Sequence, residues 1–285
     1  MANPQIHVRS ISLPSRLNPT DFEVELQKVK SCHISSDFPI TSEAIQSGLV
    51  GLSQLYNSVQ SLTAQQSIVF QDAKSMEESL SGSVELLDSC SIIRELFQMI
   101  KEKVQSLQSA LRRKGLSDPS IHSDITTYFC FRKKMSKGVA KTLKTLKNLE
   151  HRIASDHSVN VESNFTSVLR QVTGITIAIF KSILVFLSLP VGFPKGWSFV
   201  SKLMLTKSVA TSGEENEVVN VDSALRTIQG QLRSTGAKVV DEVQMLQKTL
   251  QNVAATVQGF EEGLERLNRK LVQTRVILLN IITHH

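Results

Sequence analysis

The sequence predicts an all-α fold: an elongated antiparallel helical bundle with one very long C-terminal coiled-coil-like helix and a disordered N-terminal arm. Three observations predict it. Apolar residues recur in alternating steps of four and three along most of the chain, the spacing that gathers them on one helix face. Seven Pro, thirteen Gly and 5% aromatic residues in 285 leave little of the turn-and-strand composition of a β protein. Near the C-terminus the alternation runs unbroken through Val239, Val243, Leu246, Leu250, Val253, Val257, Phe260, Leu264, Leu267 and Leu271, the seam of a coiled coil or a long bundle helix.

Residues 1–38 contain Pro4, Pro14 and Pro19, end against Pro39, and carry one amphipathic stretch, Asp21 to Lys30. They read as a flexible arm. Residues 39–285 read as a single helical-bundle domain with linkers near 115–121, 156–160, 190–196 and 208–217. Thr41 supplies a hydroxyl to cap a first domain helix, whose apolar face is Ile45, Leu49, Leu52, Tyr56 and Val59; Ala64 to Gln71 continues or kinks it. The next seam, Leu86 to Leu111, ends in Arg112-Arg113-Lys114-Gly115, cations at the negative end of the dipole and then a glycine stop. A third helix is expected from Ile121 to Ser155, with Ile125, Tyr128, Met135, Val139, Leu146, Leu149 and Ile153 on its apolar side. Trp197 to Lys207 reads as a short helix.

Leu225, Ile228 and Leu232 extend the last seam backwards. One helix from Val218 to Ile282 would be about 95 Å long at about 1.5 Å per residue. Such a helix needs neighbours along it, which favours the bundle. A homodimer through residues 239–271 is the alternative. Gly259 and Gly263 lie off the seam and cost about 1 kcal/mol each relative to Ala; they argue for close packing against a helix of the same chain.

The most apolar stretch is ITIAIFKSILVFLSLPVGF, Ile175 to Phe193. Lys181 interrupts it, and the run before Pro190 is about 15 residues against about 20 for a bilayer. A buried central helix at 175–189 is therefore expected, with membrane contact as the alternative.

The net charge of +6 and pI near 9.2 favour acidic partners. Cys32, Cys90 and Cys130 are widely spaced, without a zinc or disulfide pattern, which points to a reducing compartment. No apolar signal region follows Met1, so a cytoplasmic location is expected. A peripheral membrane or organelle location is the alternative, because the first twenty residues lack acids. The seven His are scattered, and no G-x-x-x-x-G-K-S/T, G-x-G-x-x-G, H-E-x-x-H or G-x-S-x-G occurs. We expect no enzyme activity, no metal and no cofactor.

Two segments stand out. Arg132, Lys133, Lys134, Lys137, Lys141, Lys144 and Lys147 occupy residues 132–147 without an acid among them. Lys134 to Lys147 step by three and four, so they share a helix side and repel one another. That stripe is expected to contact an anionic surface, either an acidic protein or anionic lipid. No aromatic interleaving accompanies it, which argues against nucleic acid. In the arm, Arg9-Ser10-Ile11-Ser12-Leu13-Pro14 has the form R-S-x-S-x-P. Arg9 suits a basophilic kinase acting on Ser12, and the phosphorylated motif suits the Arg cluster of 14-3-3 proteins, with Pro14 turning the peptide outward.

Five pieces carry a family resemblance: HVRSISLPSR at 7–16, SGSVELLDSCSIIRELFQMIKEKVQSLQSALRRKG at 81–115, YFCFRKKMSKGVAKTLKTLK at 128–147, WSFVSKLM at 197–204 and LNRKLVQTRVILLNIITH at 267–284. In this order they resemble the plant BYPASS-related family. The resemblance implies an all-helical protein tied to root and shoot development, through a founding member that restrains a root-derived signal. It carries over no catalytic residue.

Overall fold

The computed structural model describes residues 19–33, 40–65, 73–116, 118–155, 164–188, 216–231 and 239–283. They form seven α-helices: α1 (Pro19–His33), α2 (Ser42–Gln65), α3 (Ala73–Lys114), α4 (Ile121–Ser155), α5 (Asn164–Ser188), α6 (Glu217–Gln231) and α7 (Val239–Thr283). No strand occurs among the described residues.

Local chemistry sets the ends. Thr41 Oγ1 accepts the Ala44 N–H at 3.2 Å, capping α2. Gly115 takes φ 64°, and its N–H returns to the Leu111 carbonyl at 3.0 Å, closing α3 with a left-handed residue. Lys114 then pairs with Asp124 across the turn at 2.9 Å. Asn216 begins α6, its Oδ1 accepting the Val218 N–H at 2.8 Å.

Cross-helix contacts fix the directions. Leu96 meets Gly138 and Gly82 meets Leu149, so α3 and α4 are antiparallel. Lys181 pairs with Glu150, and Arg132 reaches the Leu187 carbonyl, so α5 reverses again. Arg94 pairs with Glu265 and Arg275 reaches the Leu80 carbonyl, setting α7 antiparallel to α3. A common core joins them: Phe97 of α3 meets Phe260 of α7 with tilted rings at 6.0 Å between centroids, and Phe186 of α5 meets it edge-to-face at 5.1 Å. Gly263 lets α2 approach α7: a Cβ there would stand 2.9 Å from Leu49 Cδ1.

Three expectations need correction. Part of the arm is folded: α1 buries Phe22, Leu26 and Val29 against α2 and α5. Their four-three spacing makes a stripe, and Gly51 admits Val29, whose Cγ2 lies 2.6 Å from where a Cβ would stand. The folded domain therefore begins by Pro19 and not at residue 39. Residues 1–18, including Arg9, Ser12 and Pro14, lie outside the described residues, as does the expected helix Trp197 to Lys207.

The continuous helix from Val218 to Ile282 is instead two. Glu217 accepts from Thr256 at 2.9 Å, and Ile228 borders the same cleft as Leu246. Helix α6 thus folds back antiparallel on α7, and each apolar stripe covers the other. Residues 232–238 between them lie outside the described residues.

The third correction follows. The homodimer seam at 239–271 is used inside the chain, because Leu246, Leu250, Val253, Val257, Phe260, Leu264, Leu267 and Leu271 are all buried against α2, α3 and α6.

Residues 189–193 of the apolar segment lie outside the described residues; residues 175–188 lie in α5, a 25-residue helix and longer than the run read before Pro190. Its length and composition would suffice to cross a membrane. Helices α1, α2, α3 and α4 surround it, and no side chain from Phe165 to Ser188 is exposed. A helix apolar all round suits such a central position. Lys181 is matched by Glu150 at 2.8 Å.

Candidate interaction surface

Helix α4 presents two faces of opposite character. Inward are Ile121, Ile125, Tyr128, Met135, Val139, Leu146 and Leu149, all buried. Outward, Lys133, Lys134, Lys137, Lys141, Lys144 and Lys147 are exposed and form no ion pair or hydrogen bond among the described residues. Cys130 and Asn148, also exposed, continue the line at either end.

Arg132 does not belong to this surface. It falls between Tyr128 and Met135 on the buried side, with 7% of its side chain exposed. Its Nε and Nη2 donate to the Asp222 carboxylate at 2.9 to 3.1 Å, and its Nη1 donates to the Leu187 carbonyl at 2.5 Å. Tyr128 completes the cluster by donating to Asp222 Oδ1 at 2.8 Å. Burial holds the Tyr128 hydroxyl well above its usual pKa; the nearby Arg132 charge opposes that shift and Asp222 adds to it.

The cluster has a structural role. Here α5 ends and α6 begins, so free carbonyls and N–H groups face an apolar interior. Arg132 satisfies the Leu187 carbonyl, and Asn216 Nδ2 donates to the Phe186 carbonyl at 2.7 Å. Two charges buried with all partners in place are tolerable, whereas either alone is not.

A cleft of about 510 Å³ opens where α3 and α5 start and α4 finishes, bordered by Ser79, His151, Arg152 and Arg170. Its chemistry is mostly committed. Arg152 pairs with Glu85, and the Ser79 and Thr173 hydroxyls donate to helix carbonyls four residues back. Ser155 donates to the His151 carbonyl at 2.6 Å, so the His151 ring does not receive its proton. No group of three or more His, Cys, Asp or Glu residues able to hold a metal occurs among the described residues. Cys90 is buried, its thiol pushed up to about 12 by desolvation.

Sequence reasoning missed two features of this region. Asp222 went unnoticed as the partner of Arg132, although both interrupt apolar seams. The outer row Asp88, Glu95 and Glu102 on α3, all exposed, repeats every seven residues, a heptad signal that was open to inspection.

These elements define an all-α bundle built on two long antiparallel helices, α3 and α7, with a lysine-faced α4 beside them. The family model described as Protein BPS1 matches residues 48–281, and the chain belongs to that plant-specific, BYPASS-related family. The match runs from α2 into the last turn of α7 and leaves α1 outside it. Membership makes this a plant development-related protein. No curated protein and no solved structure matches the chain.

Proposed function

We propose that this is a non-enzymatic regulatory protein of root and shoot development that acts by docking an acidic surface on the outer face of α4. One observation carries the proposal: six lysines, Lys133 to Lys147, line an exposed helix side with no acid among them. Several cations elsewhere on the bundle do have acidic partners, as in Arg94–Glu265, Lys101–Glu261 and Lys181–Glu150. Like charges at this spacing are mutually destabilising by about 0.2–0.5 kcal/mol per pair, a cost that an acidic partner would remove. The enclosure of α5 favours a protein partner over the alternative of a peripheral membrane protein using the stripe and the 175–189 helix. The control region would be the arm, through phosphorylation of Ser12 and capture by a 14-3-3 protein.

The test is complementation of a plant line lacking this protein. A Lys137→Glu, Lys141→Glu, Lys144→Glu triple variant should accumulate normally yet fail to restore root and shoot growth. Full restoration would sink the docking reading. Co-sedimentation of the wild type with phosphatidylserine vesicles, but not with phosphatidylcholine vesicles, would move the reading to the membrane alternative.

A further inference from the structure

Beside the lysine row runs an acidic one. On α3, Asp88, Glu95 and Glu102 are exposed and seven residues apart, so they stand along one line of the helix. Asp88 and Glu95 form no ion pair or hydrogen bond among the described residues, and Glu102 receives only the Gln98 amide at 3.1 Å. Between the two rows lies a floor with apolar character. Met99 is 38% exposed and Ile92 is partly buried. Gly138 adds no side chain, and a Cβ there would approach only Leu96, at 3.9 Å.

The heights of the rows correspond. Leu96 lies level with Gly138, Gly82 with Leu149, and Lys114 with Asp124. Between these fixed points, Glu95 is level with the turn carrying Lys137 and Lys141. Asp88 is level with Lys144 and Lys147, and Glu102 with Lys133 and Lys134. One surface therefore presents matched acidic and basic rows on either side of a shallow groove.

Such a surface is complementary to itself. A two-fold axis along the groove, parallel to the helices, preserves height while exchanging left and right. It lays α3 of one copy over α4 of the other, antiparallel, and does so twice. Every acid then faces a lysine pair at its own level, and Met99 and Ile92 of both copies meet at the centre. An axis across the helices would instead set like rows against each other, which electrostatics opposes.

We infer that the acidic surface docked by α4 is the α3 row of a second copy of this chain, in an isologous, charge-matched homodimer. This rests on the reading of the lysine row as a docking face, and it names the partner. It differs from a dimer through residues 239–271, whose apolar seam is already buried.

Sedimentation of the full-length protein provides the test, because the two rows can be reversed separately. The Lys133→Glu, Lys134→Glu, Lys137→Glu, Lys141→Glu, Lys144→Glu, Lys147→Glu variant has acidic rows on both helices. Asp88→Lys, Glu95→Lys, Glu102→Lys has basic rows on both. Each alone should dimerise at least about 100-fold more weakly than wild type. Mixed together they should form a heterodimer near wild-type affinity, and wild-type dimerisation should weaken with salt. Circular dichroism confirms that each variant is folded, with single Lys141→Glu and Glu95→Lys variants as milder probes.

A monomeric wild type at low salt, reversed variants that stay dimeric, or a mixture no tighter than its components would each overturn the dimer. The two proposals fail separately. A monomeric wild type combined with failed complementation by the triple lysine variant leaves docking of another acidic partner standing. Dimer loss combined with full complementation removes the docking role and leaves the homodimer.

Discussion

The two sides of α4 show how one helix can use the same charge in opposite ways. On the inner side a single cation, Arg132, is held by Asp222, Tyr128 and the Leu187 carbonyl with almost no exposure. On the outer side six lysines stand in water without partners among the described residues. The planar guanidinium suits the inner position, because its fork can serve a carboxylate and a carbonyl at once. Flexible, strongly hydrated ammonium groups suit the outer one. Position relative to the apolar seam decides which cation is structural and which is available to a partner.

Breaking the inner side should have the largest effect. Asp222→Ala leaves Arg132 buried without its counter-charge, a loss of about 3–5 kcal/mol. Thermal unfolding should then begin roughly 10 °C earlier. The paired change Arg132→Met with Asp222→Leu should recover at least half of that loss, because it removes both charges. A double variant no better than Asp222→Ala would show that the cluster does more than satisfy itself.

The inner side also sets a pH response. Burial raises the Tyr128 hydroxyl well above its usual value and pushes the Cys90 thiol up to about 12; desolvation raises Tyr56 as well. Each group keeps its proton in the folded chain after the unfolded chain has lost it. The unfolded state then binds fewer protons, so stability falls as pH rises. Urea midpoints should hold steady to about pH 8, decline as the unfolded thiol ionises, and steepen beyond about pH 10. Each group contributes on the order of 1 kcal/mol per pH unit. Cys90→Ala should remove the earliest part of the decline. A profile flat to pH 11 would contradict the burial of all three.

A smaller change tests the cluster's hydrogen bonds. Tyr128→Phe removes one donor to Asp222 while leaving the ion pair and the ring packing. It should lower stability by about 1–2 kcal/mol at neutral pH and remove Tyr128's share of the alkaline decline. An Asp222→Ala background should shrink the neutral-pH loss, since the acceptor is then gone.

Much of this arrangement was legible in the sequence, because helical periodicity records burial directly. The span Ile121 to Ser155, the Thr41 cap and the Gly115 stop all stand as their residue types dictate. The break between α6 and α7 was hidden, since Leu225 and Ile228 keep the phase of the Val239 seam and a hairpin that preserves phase leaves no mark. Proline density concealed α1, whose Phe22, Leu26 and Val29 already had helical spacing. Arg132 was misassigned by proximity to the lysines. The gap of seven between Tyr128 and Met135 in the seam was the signal that a buried residue belonged there, and Arg132 fills it. Its partner could not be read, because the packing of α6 on α4 brings Asp222 in from ninety residues away.

The smallest expected effect belongs to the outer side, and it sharpens the contrast most. Each of Lys137, Lys141 and Lys144 changed singly to Gln should alter the stability of the isolated protomer, measured in high salt, by no more than about 0.5 kcal/mol. The sign should be favourable where the change relieves repulsion from a lysine three or four residues away. Lys137 has three such neighbours, Lys133, Lys134 and Lys141, against two each for Lys141 and Lys144, so Lys137→Gln should gain the most, and the gain should grow as salt is lowered and screening weakens. A loss above about 1 kcal/mol at any of the three would mean that the lysine holds the bundle together, as Arg132 does. Neutral or favourable changes that still weaken dimerisation would assign the charge to contact between copies.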